Sequence, residues 1–285
     1  MFMFRREKVL LYLILQLNKL GVKVSKTQLD KLLFVLKKET SIDGFIKFYN
    51  FFPYNYGPFS NQFYFDLNEL QKQGFLTEDF ELTATGEKVS GLASKEEKQL
   101  VDGIVEKYGN YPLANLKDYV YAAYPEYTVK SVLKSEVKQV KEHPAVFSIG
   151  YEKKDIDLFL DLLIKNGVEV VVDVRANAFS MNFVFTKTKL AQYLEKVGIT
   201  YLHVPELGIS GEHRKDLKTE ENYRELFEFY ASDILPKQGS KLSELISLGK
   251  SKRIALLCFE QDNNHCHRGA LSKELEKTGI AVTHL

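Results

Sequence analysis

The chain has 285 residues, of which 45% are hydrophobic and 27% charged, with a net charge of +1 and two cysteines. That length suits two domains that each bury a core, and the near balance of basic and acidic residues in both halves excludes bulk charge as a nucleic-acid footprint. Two cysteines exclude a disulfide framework, and the apolar stretch 9–15, ended by Gln16, Asn18 and Lys19, neither spans a bilayer nor precedes a small-residue cleavage site. The expectation is a cytoplasmic protein without membrane contact.

Residues 7–20 carry Val9, Leu10, Tyr12, Leu13, Leu15 and Leu17 at helical spacing, and Gly21 stands at the C-cap. Residues 28–38 predict a second helix, capped by Ser25 or Thr27. Its Leu29, Leu32, Leu33 and Leu36 face inward, and Lys26, Lys31, Lys37 and Lys38 form an outer face that is either solvated or phosphate-touching. A third helix, 60–73, holds Phe63, Leu67 and Leu70. After it come Gly74, the pair Phe75-Leu76, an acidic turn, and Leu82-Thr83 opening a further helix, which is the local pattern of a wing. Segments 94–107, 113–123 and 129–141 read as helices. Residues 1–143 are therefore expected to form a mainly α, winged-helix-like domain, with 28–38 or 60–73 as its recognition helix. The aromatic segment 45–59, broken by Pro53 and Gly57-Pro58, reads as core and domain-interface residues. Base stacking would want cations among exposed rings, and only Lys47 is present.

Pro144 opens a different pattern. Apolar, β-branched runs at 145–150, 168–174, 200–204, 253–258 and 281–285 alternate with helical segments 155–166, 188–197, 222–249 and 268–278. Residues 144–285 thus predict an α/β domain with a mostly parallel sheet and helices on both faces. Ligands bind such folds outside the carboxyl ends of the strands. The polar signatures fall there: Gly150-Tyr151-Glu152, Asp173-Val174-Arg175, His203 through Gly208, and Cys258-Phe259-Glu260, with Cys266-His267-Arg268 opening the last helix. Asp173, Arg175, His203, Glu260, Cys266 and Arg268 are expected to share one pocket.

The runs Ser148-Ile149-Gly150-Tyr151, Val172 to Arg175, Tyr201 to Gly208, and Cys258-Phe259-Glu260 followed by Cys266-His267-Arg268 resemble the bacterial family catalogued as domain of unknown function 488. The resemblance implies the fold and the site but no substrate. Tyr151 departs from the His of many members, and Ile209-Ser210 replaces a second Gly. In the N-terminal half, Tyr56-Gly57-Pro58 before a helix resembles the YwgA-like and SocA-like (Panacea) antitoxin families.

Chemically, a cysteine at a helix N-terminus beside an arginine is a candidate thiolate of lowered pKa. Cys266, His267, Asp173, Glu260 and His203 are the candidate catalytic residues, and Arg175, Arg268, Tyr151 and Cys258 the candidate substrate-binding ones. The plainer readings are a buried filler for Cys258, a structural pair for Asp173 and Arg175, and a loop cap for His203. A rhodanese glycine-rich cradle and a Cys-x5-Arg phosphatase loop are both absent. No cofactor is predicted. Zinc or iron on Cys258, Glu260, His265, Cys266 and His267 is the rival chemistry, opposed by the rarity of adjacent residues sharing one ion and by the lack of Cys-x-x-Cys. The leading function is an enzyme acting on a nucleotide, nucleic acid or other phosphate-bearing substrate. The alternatives are a ligand-sensing regulator without catalysis and an interaction protein of toxin–antitoxin or phage-defence type.

Overall fold

The computed structural model describes residues 3–133, 143–214 and 219–285. The chain divides into two compact units, residues 1–138 and 139–285. Among the described residues no helix is long and apolar enough to cross a membrane.

The first unit is mainly helical. It contains α1 (Arg5–Lys19), α2 (Lys26–Glu39), α3 (Ile42–Phe45), the hairpin strands β1 (Phe52–Tyr54) and β2 (Gly57–Phe59), α4 (Asn61–Lys72), α5 (Ala84–Ser90), α6 (Lys95–Tyr108) and α7 (Leu113–Ala123). The boundaries follow local chemistry. Ser25, Ser60, Thr83 and Ser94 each accept the backbone N–H three residues on, satisfying a donor that the first helical turn leaves unpaired. Gly21, at φ 71°, ends α1 in the left-handed region that a side chain resists.

α2 departs from the expectation. Every residue from Gln28 to Leu36 is buried, because β2, α6 and α7 pack around this part of the helix; of the lysines expected on an outer face, Lys31 is covered while Lys26 and Lys38 stay exposed at the two ends. Lys31 is 1% exposed, and its Nζ donates to Asp30 Oδ2 (3.0 Å) and to the Pro58 carbonyl (2.6 Å). A helix covered all round cannot enter a DNA groove, so 28–38 is not a recognition helix. The aromatic segment supplies core: Phe48, Tyr49, Phe51 and Phe52 are buried, with Phe34 edge-on to Phe51 and Tyr49 edge-on to Phe63. Leu76 and Leu82 form an antiparallel bridge between α4 and α5. The helix expected at 129–141 is not formed over residues 129–133, which are turns. Val132 N–H instead donates to the Asn55 carbonyl in the β1–β2 turn (2.9 Å). The remainder of that segment lies outside the described residues.

The second unit contains β3 (Ala145–Gly150), α8 (Ile156–Lys165), β4 (Val170–Asp173), α9 (Lys187–Lys196), β5 (Thr200–His203), α10 (Glu220–Phe229), α11 (Gly239–Ser251), β6 (Arg253–Cys258), α12 (His267–Glu276) and β7 (Val282–His284). Its five strands form one parallel sheet in the order β5–β4–β6–β3–β7. The helical region expected at 222–249 is interrupted by a π turn at Tyr230–Ile234 and a 3-10 turn at Leu235–Gln238, where Pro236 cannot donate to a helix.

Residues paired in register share a face, and successive residues alternate between faces. Val146, Val170, Val172, Ile254 and Leu256 pack with Leu245 of α11 and with Leu271 and Leu275 of α12 in one core. Phe147, Ile149, Val171, Ala255 and Leu257 point the other way and are buried too, so both sides of the sheet are covered. This alternation decides what the strand ends present.

Glu39 at the end of α2 yields a pH prediction. It accepts hydrogen bonds from Tyr119 (2.5 Å), Tyr108 (2.8 Å) and Lys107 (3.0 Å). Burial opposes its charge, but these donors overcome that cost and hold its carboxyl below the ordinary value. A carboxyl lowered on folding adds stability above its unfolded pKa of about 4.3 and loses it as pH falls through the folded value. Unfolding by denaturant between pH 6 and 3 should therefore show a loss of stability that Glu39→Gln flattens; an unchanged slope in the variant would contradict the assignment.

Candidate functional site

The carboxyl ends of the strands carry two polar clusters, one on each face of the sheet. Asp173 is aligned with His203 on β5 and with Leu257 on β6, so its side chain leaves the sheet away from α12. Its Oδ1 accepts from Arg175 Nε (2.8 Å) and Oδ2 from Arg175 Nη2 (2.5 Å), a bidentate pair that is 0% and 5% exposed. Tyr201 Oη also donates to Oδ2 (2.5 Å). Arg175 Nη1 completes the set on Tyr151 Oη (3.1 Å) and the Phe185 carbonyl (3.0 Å), while Phe185 stacks on Tyr151 with centroids 4.4 Å apart. A guanidinium with three nitrogens so engaged under two rings holds the loop after β4 rather than a ligand. His203 Nδ1 faces Lys187 Nζ (3.2 Å), so its other nitrogen, 2.9 Å from the Arg175 carbonyl, carries the proton and donates. It caps the same loop.

The second cluster lies on the α12 side. Cys258 is in register with Gly150, and its sulfur lies 3.7 Å from His267 Nδ1 and 3.2 Å from Glu260 Oε2. Cys266 Sγ lies 3.9 Å from the same Nδ1. The opposite ring nitrogen, Nε2, is 3.1 Å from the Val174 carbonyl. Arg268, 1% exposed, donates from Nε to Cys266 Sγ (3.3 Å), from Nη1 to Ser148 Oγ (2.6 Å) and from Nη2 to the Glu260 carbonyl. A methyl group at Gly150 would sit 1.8 Å from the Glu260 carbonyl oxygen, so only glycine lets the chain after β6 close over Arg268. Tyr230, from the π turn, lays its ring against His267 (5.5 Å) and donates to the Leu207 carbonyl (2.7 Å).

Two expectations therefore fail. Arg175 and Arg268 do not share a pocket: Tyr151, Asp173, Arg175 and His203 lie on one face, and Cys258, Glu260, Cys266, His267 and Arg268 on the other, because strand side chains alternate. Nor is Cys266 an activated thiolate. It is the N-cap of α12 but only 1% exposed, and burial, with the neighbouring Cys258, pushes its pKa well above the ordinary thiol value. Desolvation outweighs the helix terminus and the arginine. His265 also stays apart, exposed and paired with Glu220 and Asp262.

Lys154 and Tyr230 contribute without having been singled out, and Ser148 and Tyr201 were named only within the resembling runs, not as candidate site residues. Ser148 had a signal, as the one hydroxyl in an otherwise apolar strand. Lys154 Nζ donates to the Gly150 carbonyl (2.9 Å), and its pKa is lowered by burial and then by the charge of Arg268. Tyr230 gave none, because a tyrosine at helical spacing reads as core.

Residues 155–275 match the family model described as Domain of unknown function DUF488. The DUF488 match runs from the start of α8 to the last turn of α12 and so contains three of the four strand-end motifs; Ser148 to Tyr151 precede it. No curated protein and no solved structure matches the chain.

Cys258 and Cys266, 2% and 1% exposed, should react with iodoacetamide in the folded chain at pH 8 at least about tenfold more slowly than a free thiol, because the reagent cannot reach a buried sulfur and burial also raises the Cys266 pKa. Both should react at once in denaturant. Rapid labelling of Cys266 in the native protein, read by peptide mass, would contradict the burial argument.

Proposed function

We propose that the DUF488 domain is an enzyme acting on a phosphate-bearing substrate, a nucleotide or nucleic acid, at the α12 side of the carboxyl edge. The observation that carries this reading is the convergence of Cys258, Cys266 and His267 with their donor atoms within 4.8 Å of one another, beside half-buried Glu260. Packing has no need of two sulfurs and an imidazole nitrogen facing each other, whereas proton transfer and covalent chemistry do. The substrate class follows from charge. Burial, and after it the charge of Arg268, lowers the Lys154 pKa against the opposing Glu152, so an anion here would meet two cationic side chains. In this reading Lys154 holds the anion and Glu260 moves protons beside the Cys–His cluster, while Asp173, Arg175, Tyr151 and His203 hold the loop after β4 on the opposite face. A nucleoside phosphate at a hundredfold excess over its Kd should stabilise the protein by about 2.7 kcal/mol. The stabilisation, followed by thermal unfolding across a panel of nucleotides and inorganic phosphate, should fall sharply in Lys154→Ala. No response to any phosphate compound would reject the substrate class.

For the N-terminal unit, the winged-helix reading is best taken as a protein-contact module rather than a duplex reader. α4 and the turn after it carry Glu69, paired with Lys72, and the exposed Glu78, Asp79 and Glu81. Acidic groups there repel phosphates. A mobility-shift titration of the full chain at low salt should show no duplex binding that Lys72→Ala weakens; retention dependent on this surface would restore the regulator alternative.

A further inference from the structure

The geometry points to a zinc site formed by Cys258, Cys266 and His267, with a fourth position open on the side of Glu260. This deepens the enzymatic reading by supplying the cluster with a cofactor, yet it rests on ligand geometry alone and needs no phosphate-bearing substrate.

Three observations carry it. The first is spacing. Zinc binds thiolate sulfur at about 2.3 Å and imidazole nitrogen at about 2.0 Å, so a tetrahedral ion holds sulfur and nitrogen about 3.6 Å apart. The two sulfurs stand 3.7 and 3.9 Å from His267 Nδ1, and all three donor atoms lie within 4.8 Å of one another. The second is orientation. His267 Nε2 is 3.1 Å from the Val174 carbonyl, an acceptor only, so Nε2 carries the proton and Nδ1 turns its lone pair toward the sulfurs. A ligating histidine is usually fixed by a hydrogen bond of this kind on its far nitrogen. The third is the backbone. Adjacent residues seldom reach one ion, but Cys266 is extended (φ −138°, ψ 141°) as the N-cap and His267 is the first helical residue, so the change of conformation aims both side chains at one point.

The surroundings fit a metal thiolate. Arg268 Nε donates to Cys266 Sγ (3.3 Å), which spreads negative charge from that sulfur. Glu260 Oε2 lies 3.2 Å from Cys258 Sγ, which places a carboxylate beside the proposed ion. Two sulfurs and one nitrogen select zinc over hard cations such as magnesium or calcium. Binding is balanced by loss of one proton from each thiol to solvent, the imidazole being already neutral; no electron moves. Three protein ligands and an open position are the pattern of a catalytic rather than a structural zinc ion.

The test uses the full chain, expressed and purified without chelator and under a non-metal reductant, with zinc measured by mass spectrometry. About one zinc per chain is expected. Protein stripped with chelator should take up zinc again with release of two protons, and cobalt(II) in its place should give thiolate-to-metal charge transfer with intense tetrahedral d–d bands. Cys258→Ser, Cys266→Ser and His267→Ala should each weaken zinc binding at least 100-fold. His203→Ala, on the other face of the sheet, should retain the metal. If the ligand variants do not fold, the cobalt spectrum of the wild-type chain still decides. A native protein that contains no zinc and takes up neither zinc nor cobalt when reduced would overturn the site, as would an octahedral cobalt spectrum or a Cys258–Cys266 disulfide that persists in the reductant. Zinc without any phosphate response would retain this site and reject the substrate class; a phosphate response without metal would do the opposite.

Discussion

The in-register parallel pairing of β3, β6 and β4 is the constraint on which the C-terminal unit depends. Once Gly150 is opposite Cys258 and Asp173 opposite Leu257, the two-residue period leaves no choice about which side chain goes to which face. The carboxyl edge then has two chemically different sides. One is an ionic bracket closed by aromatic rings; the other is a pair of thiols and an imidazole under a buried arginine. Residues two apart, such as Asp173 and Arg175, remain partners, whereas Arg175, after β4, and Arg268, in the first turn of α12, pair with groups on opposite faces of the sheet.

Buried charge throughout the molecule follows one rule, that an ion leaves water only for internal partners. Arg175 has Asp173, Tyr151 and the Phe185 carbonyl. Arg268 has Cys266, Ser148 and the Glu260 carbonyl. Lys31 has Asp30 and the Pro58 carbonyl. These groups position loops and helices, and they take candidate anion binders out of contention. Lys154 differs, because beyond the Gly150 carbonyl its surroundings are half open and its near neighbour is another cation.

The Cys–His cluster joins three levels. A glycine without a Cβ admits the chain after β6, Arg268 pins that chain to β3 through Ser148, and the π turn brings the Tyr230 ring against His267. The cluster is dry, and that burial raises the pKa of Cys266 instead of lowering it. The same dryness and convergence suit a metal.

Much of the architecture was legible in the sequence. The caps Ser25, Ser60, Thr83 and Ser94, the stop at Gly21 and the β-branched runs at 145–150 and 253–258 are local signals, readable because a helix end or a buried strand is dictated by the few residues that form it. The order of strands and helices implied a parallel sheet, and the polar signatures did fall at its carboxyl ends. What the sequence did not determine was non-local. The burial of α2 with Lys31 depends on β2, α6 and α7 arriving from 20 to 90 residues away. The break at Tyr230 in the helical stretch and the sorting of Arg175 and Arg268 to opposite faces depend on packing and register. Composition and spacing report which groups a chain carries and where its elements begin and end; only the tertiary structure decides which groups meet, because that is set by pairing between segments distant in sequence.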